Sequence, residues 1–318
     1  MLNTKLYISE GPGSENIETI LSVIVSSVAE RMDLSIENFD TVALAYSDRY
    51  GEAVSDLFED GVFTDNNSYV GVAKTQTKFI DGLPRHTVLF KDFVFELILQ
   101  GLSISQNIND WPPELQTGMY TISHELGHCK DAETRGQGSK SISRSLPHGF
   151  DLNLIHKYYY QIFIDEFYAC FNADRFYSEE YLIYQASQDF DSISRLKAAT
   201  LGYQTNYNQD DRIYQVAVHS SALIWVYIIQ YGKIWAGKHN TEFENTLISK
   251  IIDIGFASQE PSELLDRFLE SLVALYPGCT EDMFERFIPV WDNIAHNIGY
   301  KFEHHKILGW GCYWNYIV

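Results

Sequence analysis

The sequence predicts an α+β fold: a small sheet near the N-terminus, then a predominantly α-helical C-terminal half. Three observations carry that expectation. Apolar residues recur at helical spacing over residues 15–31 (ENIETILSVIVSSVAER), with acidic residues near the start. β-prone residues bounded by turn signals gather between residues 66 and 91. From Asp151 onward the helical pattern runs almost without interruption.

Taken in order, a second helical stretch is expected at about residues 50–60. The segment Asn66 to Gly82 is rich in Gly, Asn, Thr and Asp, and Ser68, Tyr69, Val70, Val72 and Ala73 form a short strand candidate within it. After the turn signal Asp81-Gly82-Leu83-Pro84 comes the β-prone run His86 to Lys91. Trp111-Pro112-Pro113-Glu114 then opens a helix, with Asp110 as its cap, that reads through GMYTISHELGHCKDAETR and stops at Gly136. Residues 136–149 (GQGSKSISRSLPHG) read as a loop. Helices follow at about 152–177, 179–200, 211–236, 241–255, 261–276 and 281–298, punctuated by Pro261 and Pro277-Gly278. The expected organisation is a region 1–180 holding the sheet and its helices, then an all-α region 181–318.

Composition narrows the function classes. The 318 residues, 45% of them hydrophobic, supply a sizeable core without disulfides. The 21 Tyr, 19 Phe and 6 Trp suit a well-filled helical core. With 23 Lys and Arg against 43 Asp and Glu, the net charge of −20 repels a phosphate backbone and argues against nucleic-acid binding. Cys129, Cys170, Cys279 and Cys312 form no CxxC pair, which argues against a disulfide framework or a zinc ribbon and fits a reducing compartment. The N-terminus does not read as a signal peptide, and apolar stretches such as Ser221 to Tyr231 are too short for a bilayer. Cytoplasmic localisation and no membrane partner are the expectation.

One motif carries chemistry. His124-Glu125-Leu126-Gly127-His128 is an HExxH string inside an expected helix. Residues i and i+4 share a helix face, so both imidazoles can reach one tetrahedral zinc ion. Glu125 projects at a neighbouring angle, suited to taking a proton from water on the metal. Zinc brings the pKa of such a water to about 7 and polarises a carbonyl, two of the tasks of peptide hydrolysis.

A third ligand is sought downstream. If Ile164 to Ala173 is helical, Glu166, Ala169, Cys170 and Ala173 fall on one stripe, and the small residues let this helix approach the motif helix closely. Glu166 then reaches the metal. Asp165, one residue out of phase, the loop residue His148 and Asp131 remain rivals, with Cys170 as a thiolate behind them. His219 reads as a core histidine, His304-His305 as surface, and Tyr158-Tyr159-Tyr160 as packing or cleft lining.

From Thr121 through His128 the chain resembles the zincin metallopeptidases. That resemblance implies a helix with two His ligands beneath a small sheet whose edge strand lines the substrate cleft. His86 to Lys91 is the expected edge strand, pairing with an extended peptide. Asp131 and Thr134 stand where the metzincin extension needs Gly and His. The Glu166 segment is instead similar to the gluzincins, especially compact bacterial forms with a Glu-x-x-Ala helix. Lys130 departs from the extended zincin signature, which prefers an apolar residue there. Cys170 stands where larger gluzincins often place an Asp that supports a ligand His. The resemblance implies a zinc metallopeptidase acting on a protein or peptide, whether broadly or as a dedicated protease of one protein. The rival class is a zinc-stabilised sensor or protein-binding module without turnover.

Overall fold

The computed structural model describes residues 2–8, 14–59, 65–66, 69–136, 152–173, 176–202, 260–278, 282–297, 300–305 and 309–314, with isolated positions between 221 and 249. In chain order these form β1 (Thr4–Tyr7), α1 (Ser14–Arg31), β2 (Phe39–Ala45), α2 (Tyr50–Leu57), β3 (Asp65–Asn66), β4 (Tyr69–Val70), β5 (Ala73–Ile80), β6 (Leu83–Lys91) and α3 (Asp92–Ile104). They continue as α4 (Pro113–Arg135), α5 (Leu152–Asn172), α6 (Glu179–Gly202), α7 (Glu260–Leu275), α8 (Asp282–Asn297), β7 (Tyr300–His305) and β8 (Gly309–Trp314). The fold is α+β, mostly helical, with a small mixed sheet of four strands. Two compact units divide the chain. One comprises Met1–Lys140, Tyr168–Tyr184 and Trp235–Gly237; the other comprises Ser141–Phe167, Gln185–Ile234 and Lys238–Val318. The continuous helix α5 therefore passes into the first unit at Tyr168.

In the first unit the sheet order is β1-β2-β6-β5, with β1, β2 and β6 parallel and β5 antiparallel to β6. Alternation along β6 sends Val88 and Phe90 to one core, with Val25 and Val28 of α1, Ile98 of α3 and Leu126 of α4. Leu89 points the opposite way, to Tyr50, Ala53 and Val54 of α2. Burial on both faces marks β6 as an interior strand. The expectation that His86 to Lys91 forms the edge is therefore corrected, because β6 lies between β2 and β5. The edges are β1 and β5, and β5, with the sequence AKTQTKFI, carries the polar residues that suit an edge. The two strands join through Asp81 and Gly82, at φ 53° and 81°, a two-residue turn with both positions in the left-handed region.

Helix α4 begins as the prolines predict, with one shift. Pro112 is the N-cap, and Asp110 belongs to the short turn Ile108–Asp110, where it accepts a bond from Ser105 Oγ at 2.7 Å. Gly136 terminates the helix at φ 68°, a conformation open to glycine. The helix carries a buried stripe through Leu115, Ile122, Leu126 and Cys129.

The second unit has an aromatic helical core. Tyr160 packs its ring 5.3 Å from Phe284 and 5.5 Å from Phe287, and Phe163 lies 5.7 Å from Phe287. These rings come from α5 and α8, and Phe268 of α7 joins them, 5.7 Å from Phe287. The unit ends in a hairpin, β7 paired antiparallel with β8, where an all-α region was expected. Aromatic runs such as YKFEHH and GWGCYW favour strands, which accounts for the departure. The helices expected at about 211–236 and 241–255 lie outside the described residues apart from isolated positions, as do His148, His219 and the segment 137–149. Among the described residues no helix is long and apolar enough to cross a membrane.

Candidate metal centre

The HExxH string occupies the middle of α4, where the helical phase divides its residues by burial. Leu126, Gly127 and Cys129 are buried against the core, whereas His124, Glu125 and His128 are half-buried along one side. One helical turn separates the two imidazoles, whose ring centroids lie 4.9 Å apart at an interplanar angle of 79°. Glu166 completes a group of three: one ligand atom from each of His124, His128 and Glu166 lies within 4.8 Å of the others. Tetrahedral zinc with bonds of about 2.0–2.2 Å places its ligand atoms roughly 3.4 Å apart, so modest side-chain adjustment accommodates a cation. Two nitrogens and a carboxylate oxygen form a donor set that zinc accepts.

Glu166 reaches this position because α5 can approach α4. A Cβ on Gly127 would lie 2.1 Å from the Ala169 carbonyl oxygen, which is closer than any side chain tolerates. The glycine inside the motif is therefore the point where the backbone of α5 passes. Ala169, Cys170 and Ala173 are all buried, as the small-residue stripe predicts. Glu166 stands one turn ahead of Ala169 and Cys170 on the same helix.

The rivals for the third position separate clearly where they are described. Asp131 is buried and held by Arg135, whose Nε donates to Oδ1 at 2.8 Å and whose Nη2 donates to Oδ2. The guanidinium lies 5.1 Å from the centre of the Tyr168 ring. Asp131 thus serves an ion pair and is not in the metal-capable group. Asp165 is not in it either; its Oδ1 accepts from Gln161 Nε2 at 3.5 Å.

Cys170, weighed from sequence as a thiolate ligand, is not in the group of three. Its sulfur lies 3.5 Å from His124 Nδ1, the place a supporting partner takes. With Nδ1 so engaged, Nε2 is the nitrogen suited to a cation.

Two further contacts escaped the sequence reasoning. Tyr120, four residues before His124 and so on the same helix face, tilts its ring against that imidazole at 5.7 Å and brings its hydroxyl 3.7 Å from Cys170 Sγ. Burial, with Cys170 and Tyr181 nearby, pushes the Tyr120 hydroxyl well above its ordinary range, so it stays protonated. The i−4 spacing was the available signal. Thr75, on β5, donates from Oγ1 to Glu125 Oε2 at 2.6 Å, and no spacing in the sequence announces that contact. A separate polar cluster anchors the end of α4. His86, fully buried, bridges Thr77 Oγ1 at 2.8 Å and Glu133 Oε1 at 3.1 Å, and Asn38 Nδ2 donates to the same carboxylate oxygen at 2.6 Å. Burial raises the Glu133 carboxyl, but the bonds from His86 and Asn38 outweigh it and hold the carboxyl below its ordinary value. Beside them, burial first and then the charges of Glu125 and Glu133 push the Cys129 thiol well up, which keeps it neutral.

Comparison with protein-family models, with curated proteins and with solved structures gives no match to this chain.

Proposed function

We propose that this protein is a zinc-dependent metalloendopeptidase of zincin type, and more narrowly a gluzincin, with His124, His128 and Glu166 as metal ligands. The observation that carries the proposal is the convergence of those three side chains beside Glu125. Zinc in such a site supplies a Lewis acid that polarises the scissile carbonyl and lowers the pKa of water to about 7. The chain's own residues do the rest. Glu125 takes the proton from the attacking water and returns it to the departing amine, one carboxylate acting first as base and then as acid. The Cys170 thiol orients His124 through Nδ1. The backbone of β5, an edge strand of the sheet among the described residues, is suited to pair with an extended peptide. Cys129 and Cys170 carry free thiols, which suits a reducing compartment, and we assign the activity to the cytoplasm.

The decisive experiment compares wild type with Glu125→Gln by elemental analysis and by proteomic profiling of cleavage products. The variant is expected to retain zinc and to lose about 10²–10⁴-fold in cleavage rate. Cleavage at the wild-type rate would overturn the assignment of the base. A wild-type protein that zinc stabilises but that cleaves nothing would favour the sensor class instead.

A further inference from the structure

Building on Glu125 as the proton carrier, we propose that Thr75 is its positioning residue: a hydroxyl on the edge strand β5 that fixes the Glu125 carboxylate for reaction. The bond from Thr75 Oγ1 to Glu125 Oε2 is 2.6 Å long, and the same hydroxyl lies 3.5 Å from the Glu125 carbonyl oxygen. Glu125 is half-buried, and its long side chain has several rotatable bonds. Ordering a glutamate side chain costs rotamer entropy. A hydrogen bond to a charged acceptor offsets that cost. One carboxylate oxygen, Oε2, is thereby held by Thr75.

The strand that carries this hydroxyl is itself held in place. Thr77 lies two residues on and therefore on the same face of β5. It bonds His86 Nδ1 at 2.8 Å, and His86 Nε2 in turn meets Glu133 of α4 at 3.1 Å. Thus β5 and α4 are joined at two places, roughly 12 Å apart along the helix. The Thr77 junction runs through a fully buried histidine and holds the two elements in register. The Thr75 junction ends on the carboxylate that reacts. Valine at position 75 keeps the β-branched shape and removes the donor; serine keeps the donor and removes the methyl group.

The test uses full-length protein loaded with zinc, a chelator competition for zinc affinity, and calorimetry with acetohydroxamate. That small acid binds a zinc ion through two oxygens and passes its proton to a neighbouring carboxylate, so its affinity reports the base without turnover. Thr75→Val is expected to weaken acetohydroxamate about tenfold while zinc affinity and Tm stay at wild-type values, and Thr75→Ser to recover to within about twofold. In a Glu125→Gln background, Thr75→Val is expected to add nothing to the loss of acetohydroxamate affinity, since the base that Thr75 positions is already gone. With a cleaved peptide, kcat falls about 10–100-fold and KM holds. Unchanged hydroxamate affinity in Thr75→Val, a serine variant as weak as valine, or a loss that persists beside Glu125→Gln each overturns the Thr75 assignment and leaves the metal centre standing. Failure of the wild type to take up zinc overturns the metal centre and this assignment together.

Discussion

Histidine is used in opposite ways in the two units. On α4, His124 and His128 are half-buried, engaged by neighbours, and convergent with a carboxylate. In the second unit, His156 at the start of α5 is 2% exposed, and neither ring nitrogen has a hydrogen-bond partner among the described residues. Its ring stands edge-on to Trp291 at a centroid distance of 4.5 Å, and burial depresses its pKa to about 4. The contrast teaches that a histidine becomes a candidate ligand through the polar groups that aim it and a solvent-facing side that admits a cation. Burial alone produces a neutral aromatic filler.

The largest expected effect tests that contrast directly. His128→Ala removes one of three donors and is expected to weaken zinc binding on the order of a thousandfold, read by chelator competition. His156→Phe is expected to leave zinc affinity unchanged. Equal losses in the two variants would break the distinction between the two histidine environments.

Next comes the glycine that lets the helices meet. Gly127→Ala places a methyl group 2.1 Å from the Ala169 carbonyl oxygen, and backbone cannot swing aside as a side chain does. The expected cost is about 3 kcal/mol in denaturant unfolding, with zinc affinity falling in parallel as Glu166 is carried outward. An alanine variant with wild-type stability and zinc affinity would show that α5 reaches the site without this close approach.

The buried histidine makes the second unit sensitive to acid. Because the folded-state pKa of His156 is depressed to about 4 from an ordinary 6.5, the unfolded chain binds the proton more readily between those values. Its contribution to stability is therefore complete above about pH 6.5 and is lost as the pH falls toward 4, by at most about 3 kcal/mol. Asp292, whose Oδ1 lies 3.9 Å from His156 Nε2, opposes this: burial raises its carboxyl, so its protonation favours the folded state as pH falls. Chemical denaturation at pH 7 and pH 5 is expected to show a smaller acid loss in His156→Phe than in wild type. The same slope in both would assign the acid sensitivity elsewhere.

The site was more legible than the sheet, for physical reasons. HExxH declares itself because a helix repeats locally, so residues four apart are neighbours whatever the rest of the chain does. The Glu166 stripe was readable for the same reason, and so was the turn at Asp81 and Gly82, a local conformational requirement. The identity of the edge strand was not. The sequence favours the more apolar run at His86 to Lys91, but apolar residues on both faces belong to a strand in the middle of a sheet. The polar strand Ala73–Ile80 was an edge, as was β1. β1, β2 and α3 went unassigned: β2 takes its neighbours from β1 and β6, which lie far off in sequence, whereas α3 packs on α4, the next helix, and its apolar stretch was passed over. The Thr75 contact to Glu125 spans 50 residues and leaves no local trace.

The smallest effect concerns a residue that departs from the extended motif. Lys130 occupies a position where the extended zincin signature prefers an apolar side chain, directly after the buried Cys129. Helical phase resolves the conflict. Lys130 is turned 100° from Cys129, is only half-buried, and runs outward so that Nζ donates to the Asp33 carbonyl oxygen at 2.8 Å. Asp33 holds a φ of 54° at the end of the turn that follows α1, and its carboxylate stands fully in solvent. A long aliphatic stem can cover apolar surface while its charge stays in water, and here that charge makes an exposed bond to Asp33. Lys130→Leu is accordingly expected to leave zinc affinity within about twofold of wild type and to change Tm by no more than the error of the scan. A marked loss of zinc in that variant would mean that the helix face beyond His128 helps to hold the metal, and the boundary between the ligand side and the packing side of α4 would have to be redrawn.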